Sequence, residues 1–162
     1  MAARSPVVAT VGLGANLGDP QAALAGAIAA LAALEGVKLV AQSSFYRSAP
    51  IDSSGPDYVN AVVQVHTTLT APALLAQLQA IEQSAGRERP YRNAPRTLDL
   101  DLLLFGDASI QSPSLTLPHP RMWQRAFVLL PLAEIAPALV SAALLDCVKD
   151  QILERVPDGN NC

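Results

Sequence analysis

Leu98-Asp99-Leu100-Asp101-Leu102-Leu103-Leu104-Phe105 alternates leucine with aspartate over its first half, the period of a strand whose two faces differ. The alternation sets Asp99 and Asp101 on one face and Leu98, Leu100, Leu102 and Leu104 on the other. Upstream, a helix begins near Thr70, buries Leu74, Leu78 and Ile81, and ends at Gly86. Before it lie two stretches of strand character, residues 37–46 and the valine-rich 58–68. An earlier helix has Asp19 as its cap, Pro20 in its first turn, Leu24, Ile28 and Leu31 at helical spacing, and Gly36 as its stop. Residues 7–13 read as the first strand. From about Met122 the chain reads as helical, broken at Pro131 and Pro137. The order β-α-β-β-α-β is that of a split βαβ core. It predicts an α+β, ferredoxin-like sandwich with a mainly antiparallel sheet.

Composition narrows the function. The 162 residues fit one domain spanning 1–162, and 51% of them are hydrophobic, enough for a substantial core. A net charge of -3 with a pI near 5.2 argues against a nucleic-acid coat or a polybasic membrane binder. Cys147 and Cys162 lie far apart and the only histidines are His66 and His119, which excludes a disulfide scaffold and a Cys/His zinc site. The apolar run after Arg4 is short and leads into Gly12 and Gly14, so it reads as a buried strand rather than a secretion signal. Residues 22–34 are too few to span a bilayer. A soluble, cytoplasmic protein is expected.

Nine of the eleven cations are arginines, and four of these (Arg87, Arg89, Arg92, Arg96) crowd the segment just before the two-aspartate strand. Pro90, Asn93 and Pro95 make that segment a loop. Guanidinium forks suit a polyphosphate, although a solvated basic loop carries the same composition. Two carboxylates at i and i+2 sit roughly 7 Å apart at their Cα atoms. On an apolar strand they repel unless a cation lies between them. Leu103 continues their face, so that face is not simply solvated, and hard oxygens beside an arginine loop point to Mg²⁺ bridging to phosphates. Such a pair can straddle two ions about 3.5–4 Å apart. The other reading is a polar outer face with both aspartates paired to nearby arginines. Gly12, Gly14 and Gly18 do not form a dinucleotide fingerprint, and neither a P-loop nor a protein-kinase motif set occurs.

The run Pro95-Arg96-Thr97-Leu98-Asp99-Leu100-Asp101 resembles the hallmark of the hydroxymethyl-dihydropterin pyrophosphokinase family of folate biosynthesis. Further blocks follow in that family's order: Gly14-Ala15-Asn16-Leu17, Ser43-Ser44-Phe45-Tyr46-Arg47-Ser48, and Pro56-Asp57-Tyr58-Val59-Asn60-Ala61. Leu117-Pro118-His119-Pro120-Arg121-Met122 and Arg125-Ala126-Phe127 complete the set, over residues 8–139. The resemblance implies transfer of the β,γ-pyrophosphoryl unit of ATP to the hydroxymethyl group of a dihydropterin, releasing AMP. It implies that Asp99 and Asp101 hold two Mg²⁺ ions and that Arg87 and Arg96 stabilise the transferring group. Tyr58 and Phe127 would sandwich the pterin, Asn60 would read its edge, and Ser48 and Ile51 would complete its wall. Gln79, Glu82, Arg89, Thr116, His119 and Arg125 would line the ATP side. ATP and the pterin are then the partners, with no nucleic acid, no membrane, and a monomer expected.

The chain departs from the family's pattern where Asn93-Ala94 replaces a frequent Trp-Gly, where Ala15 and Ala49 replace a frequent serine and proline, and where Pro120 stands in place of an aromatic. Taken without the resemblance, Tyr58 and Phe127 equally fit core aromatics and His119 a turn cap. Two rival functions use the same features. A regulatory domain sensing an anionic metabolite gives no reason for paired aspartates, and an RRM-like single-strand binder would need strand aromatics and a basic face.

Overall fold

Alternation along two long strands, β1 (Val7–Ala15) and β4 (Tyr58–Thr67), divides the molecule into two apolar layers. Ala9, Val11, Leu13 and Ala15 of β1, with Val59, Ala61, Val63 and Val65 of β4, face the larger layer. The alternate residues face the other side of the sheet, where Val62 enters a second core. The computed structural model describes residues 5–16, 19–48, 58–85, 98–151 and 153–156. Between and after these strands come α1 (Pro20–Ala32), β2 (Val37–Gln42), β3 (Tyr46–Ser48), α2 (Ala71–Ala85) and β5 (Asp99–Phe105). A ribbon of β6 (Ile110–Gln111) and β7 (Thr116–Leu117) leads to α3 (Ala126–Ile135), α4 (Ala142–Cys147) and β8 (Glu154–Arg155).

The main sheet runs β5-β1-β4-β3-β8, with β2 also on β4, and every pairing is antiparallel. This is the expected ferredoxin-like arrangement. Asp19 caps α1 by accepting from the Ala22 amide at 3.1 Å, and Pro20 opens the helix. Thr70 does the same for α2, accepting from the Ala73 amide at 3.2 Å. Leu24, Ile28 and Leu31 of α1 and Leu74 and Leu78 of α2 are buried in the larger core. The second core joins α3 to the opposite face through Leu103, Met122, Leu129 and Leu132.

Three local expectations are corrected. Residues 37–46 are not one strand: pairing with β4 stops after Gln42 and resumes at Tyr46. At the break the Ser43 hydroxyl accepts from the Val62 amide at 3.0 Å, taking the place of a main-chain acceptor. The Ser44 amide turns away to α3, donating to both carboxylate oxygens of Glu134 at 3.0 and 3.1 Å. Leu104 does not share the Leu98, Leu100 and Leu102 face. A register shift opposite Thr10/Val11 inserts Leu103 as an extra residue, so Leu103 and Leu104 both pack on the second core and Phe105 returns to the first. Pro131 does not break its helix. α3 runs through it to Ile135, because the ring is buried with Val128, Leu129 and Leu132, and one missing N–H costs less than exposing that face. Pro137 does end the helical run, opening a short 3₁₀ turn.

Glu134 ties three elements together. It accepts from the Ser44 hydroxyl at 2.9 Å and from the Tyr46 hydroxyl at 2.7 Å, and Arg155 of β8 approaches at 3.4 Å. Burial alone would raise its pKa, but the bonds from Tyr46 and Ser44 and the Arg155 charge outweigh burial and hold the carboxyl below its ordinary range. Burial, then the bond to the Glu134 carboxylate, pushes the Tyr46 hydroxyl up to about 12. Glu134→Ala is expected to cost about 2 kcal/mol in denaturant unfolding near neutral pH. A depressed carboxyl stabilises above the ordinary carboxylate range and loses that contribution as pH falls, so the gap from wild type should close in acid.

Candidate active site

Gly14 leaves β1 without a side chain on the face where its neighbours are polar, and Gly12, two residues back, lies buried under the Leu103 side chain. Gly14 of β1 lies in register between Asn60 of β4 and Asp99 of β5, and Gly12 between Val62 and Asp101. β3 extends the row, with Tyr46 opposite Asn60 and Ser48 opposite Tyr58. Residues directly opposite share a face, so Asp99, Asp101, Asn60, Tyr58 and Ser48 all border one trough. With strands about 4.8 Å apart, the carboxylate flank and the Asn60 flank stand roughly 10 Å from each other across β1. Val62 and Leu103, on the same face, carry the second core with α3 and close the trough at its Gly12 end.

The glycines are needed by what leans over them. A Cβ on Gly14 would stand 3.1 Å from Asn60 Oδ1, and one on Gly12 would stand 3.2 Å from Leu103 Cδ1. Asn60 is 4% exposed, and its Nδ2 donates to Ser48 Oγ at 3.0 Å, which fixes the orientation of its amide. Phe127, half-buried near the start of α3, has the Arg125 guanidinium 5.3 Å from its ring centre.

The other flank is the outer edge of β5. The Leu100 amide donates to Glu82 Oε2 of α2 at 2.7 Å. A cavity of about 270 Å³ opens against this edge, and Leu75, Leu102, Asp101, Thr116 and His119 are among the residues lining it. The His119 amide donates to the Leu103 carbonyl at 2.9 Å, tying the segment after β7 to β5. Its Nδ1 accepts from the Arg121 amide at 3.2 Å, so in the neutral ring the proton sits on Nε2. Burial lowers the His119 pKa; Asp101 opposes this and Arg125 and Arg121 add to it. The ring is therefore a neutral donor near pH 7.

The fold thus brings Asp99, Asp101, Asn60, Tyr58 and Ser48 to one trough, and Thr116 and His119 to the cavity beside Asp101. Glu82 belongs to the edge of that cavity through the β5 backbone. Gln79 lies exposed on α2, one turn before Glu82, and is not among the cavity's lining residues. Arg125 stacks on Phe127 and acts on His119 electrostatically. Arg87, Arg89, Arg96 and Ile51 lie outside the described residues. Sequence reading missed Gly12 and Gly14 as the floor, although their i, i+2 spacing on a strand was a visible signal. It also missed Glu134, whose role arises only from the approach of α3 to the break after β2.

The carboxylate pair offers hard oxygen donors to a cation. Asp99 is exposed and Asp101 half-buried, and both sit on one face. Among the described residues no group of three or more His, Cys, Asp or Glu side chains comes together. Two carboxylates with the remaining positions left to phosphate and water are what Mg²⁺ takes, so the residues fit that ion.

His119 gives a test that needs no ligand. A lowered histidine pKa contributes stability above the ordinary histidine range and loses it as pH falls through the folded value. Wild type should therefore lose thermal stability relative to His119→Gln between about pH 7 and 5, as followed by scanning calorimetry.

Comparison with known proteins adds three findings. Residues 10–137 match the family described as 7,8-dihydro-6-hydroxymethylpterin-pyrophosphokinase. The 2-amino-4-hydroxy-6-hydroxymethyldihydropteridine pyrophosphokinase of Synechocystis sp. is 50% identical over 129 residues, 80% of this chain and 66% of that protein. The protein of the same name from Methylorubrum extorquens is 42% identical over 152 residues, 93% of this chain and 95% of that protein. Among solved structures, Plasmodium falciparum HPPK-DHPS with pteroate superposes with a TM-score of 0.65 at 14% identity. The match covers 85% of this chain and 40% of that one, a likeness of fold. No helix among the described residues is long and apolar enough to cross a membrane.

Proposed function

Because the chain belongs to the 7,8-dihydro-6-hydroxymethylpterin-pyrophosphokinase family of folate biosynthesis, and is thereby a transferase, we propose that the trough over Gly12 and Gly14 is where it moves pyrophosphate from ATP to the pterin hydroxymethyl group. The observation that carries this reading is the register Asp101–Gly12 and Asp99–Gly14–Asn60, which sets a carboxylate pair and a buried amide on opposite banks of a bare strand. The pterin occupies the Asn60 bank. Asn60, held by Ser48, offers both donor and acceptor to a heterocycle edge. Tyr58 and Phe127 supply flat apolar faces, with Ile51 completing the wall.

ATP occupies the β5 bank, its base in the cavity lined by Thr116 and His119 and its phosphates toward Asp101. Glu82 keeps that bank in place by holding the Leu100 amide. Asp99 and Asp101 would hold Mg²⁺, which when bound neutralises phosphate charge. His119 donates Nε2–H to a phosphate oxygen as a neutral ring, and Arg87, Arg89, Arg96 and Arg125 meet the remaining charge. Catalysis on this reading is positioning and electrostatic, an in-line displacement at the β-phosphorus with no covalent enzyme intermediate. We propose further that the active unit is a monomer and that its setting is the cytoplasm.

Product analysis with ATP, Mg²⁺ and a reduced hydroxymethylpterin should give AMP and no ADP. ADP as the product would overturn the reading. Asp99→Ala should lower kcat by about 10²-fold or more while leaving the chain folded. Near-normal turnover in that variant would remove the carboxylates from the chemistry.

A further inference from the structure

Arg125 and Phe127, both assigned above to substrate, sit one residue on either side of Ala126, the first residue of α3. The Ala126 amide is one of the donors that a helix start leaves without a partner inside the helix. Arg125 occupies the cap position with φ -121° and ψ 119°, and its side chain makes no capping bond. The missing cap comes from far along the chain. Gln151 Oε1 accepts from the Ala126 amide at 2.9 Å, and Gln151 Nε2 donates to the Gln124 carbonyl at 2.9 Å. One side-chain amide therefore pairs with the backbone on both sides of Arg125, in the way a neighbouring strand would. Gln151 is itself held by its own amide, which donates to the main-chain carbonyl of residue 148 at 2.9 Å, a bond that needs no side chain there.

We infer that Gln151 is a positioning residue for the reaction: it sets the extended backbone at Arg125 and so the direction of Arg125 and Phe127 into the site. It is not among the residues lining the cavity, and it lies beyond residue 137, where the family match ends. The inference rests on the pyrophosphokinase reading for what Arg125 and Phe127 do, and on geometry alone for the clamp.

Three proteins test it: wild type, Gln151→Leu, which keeps the bulk and loses both bonds, and Val148→Ala, which thins the packing beneath the same segment. Steady-state KM and kcat are measured for Mg-ATP and for the reduced pterin, with AMP as the product followed. Hydrogen exchange reports the Ala126 amide. Gln151→Leu should raise both KM values about 3- to 10-fold, the worth of one neutral hydrogen bond, with kcat changed less and Ala126 protection lost. Gln151→Glu keeps the acceptor for Ala126 and loses the donor to Gln124, and should fall between. Val148→Ala should lower the unfolding midpoint and leave both KM values within about twofold of wild type. KM values for Gln151→Leu within twofold of wild type, or Val148→Ala raising them as much, would overturn the inference while leaving the reaction intact. A wild type that forms no AMP would instead bring down the reading on which the substrate role rests.

Discussion

The arrangement of this molecule turns on two absent side chains. Gly14 occupies the site-facing position of β1, where a Cβ would stand 3.1 Å from Asn60 Oδ1, and Gly12 lies buried under Leu103, whose Cδ1 a Cβ would approach to 3.2 Å. An ordinary strand there would have filled the space between β4 and β5 with its own side chains. Instead the sheet has a floor of backbone, with carboxylates on one bank and an orientated amide on the other. A trough of roughly two strand spacings suits two reactants held end to end.

Each bank is braced from outside the sheet. On the β5 side, Glu82 takes the Leu100 amide and His119 gives its own amide to Leu103, so the edge strand is held from α2 and from the segment after β7. On the β3 side, Glu134 gathers Ser44, Tyr46 and Arg155, and Asn60 is pinned through Ser48. The bulge at Leu103 belongs to the same design. It keeps Leu104 beside Leu103 on the core under α3 and turns Phe105 back to the first core.

Much of this was legible in the chain. Period-2 alternation found β5, an apolar run β1 and valine richness β4, the Asp19 cap and the spacing of apolar residues found the helices, and their order implied the sheet. The carboxylate pair was visible because two charges on an apolar strand demand a reason. What escaped depends on contacts between distant segments. The break at Ser43–Phe45 comes from a serine hydroxyl standing in for a carbonyl and a glutamate 90 residues away. The bulge is a count of residues between two strands, which no single strand encodes. Pro131 breaks a helix by local rule, and only burial of its ring on α3 explains why it does not. Gln79, expected by resemblance to line the ATP side, lies exposed on α2 one turn before Glu82.

The glycine floor is most directly tested by adding one carbon to it. Gly14→Ala places a methyl group against Asn60 Oδ1 and leaves Asp101, His119 and the cavity at the β5 edge untouched. Steady-state kinetics of this variant should show the pterin KM raised about tenfold and the Mg-ATP KM within about twofold of wild type. An unchanged pterin KM, or a loss confined to ATP, would contradict the account of the trough.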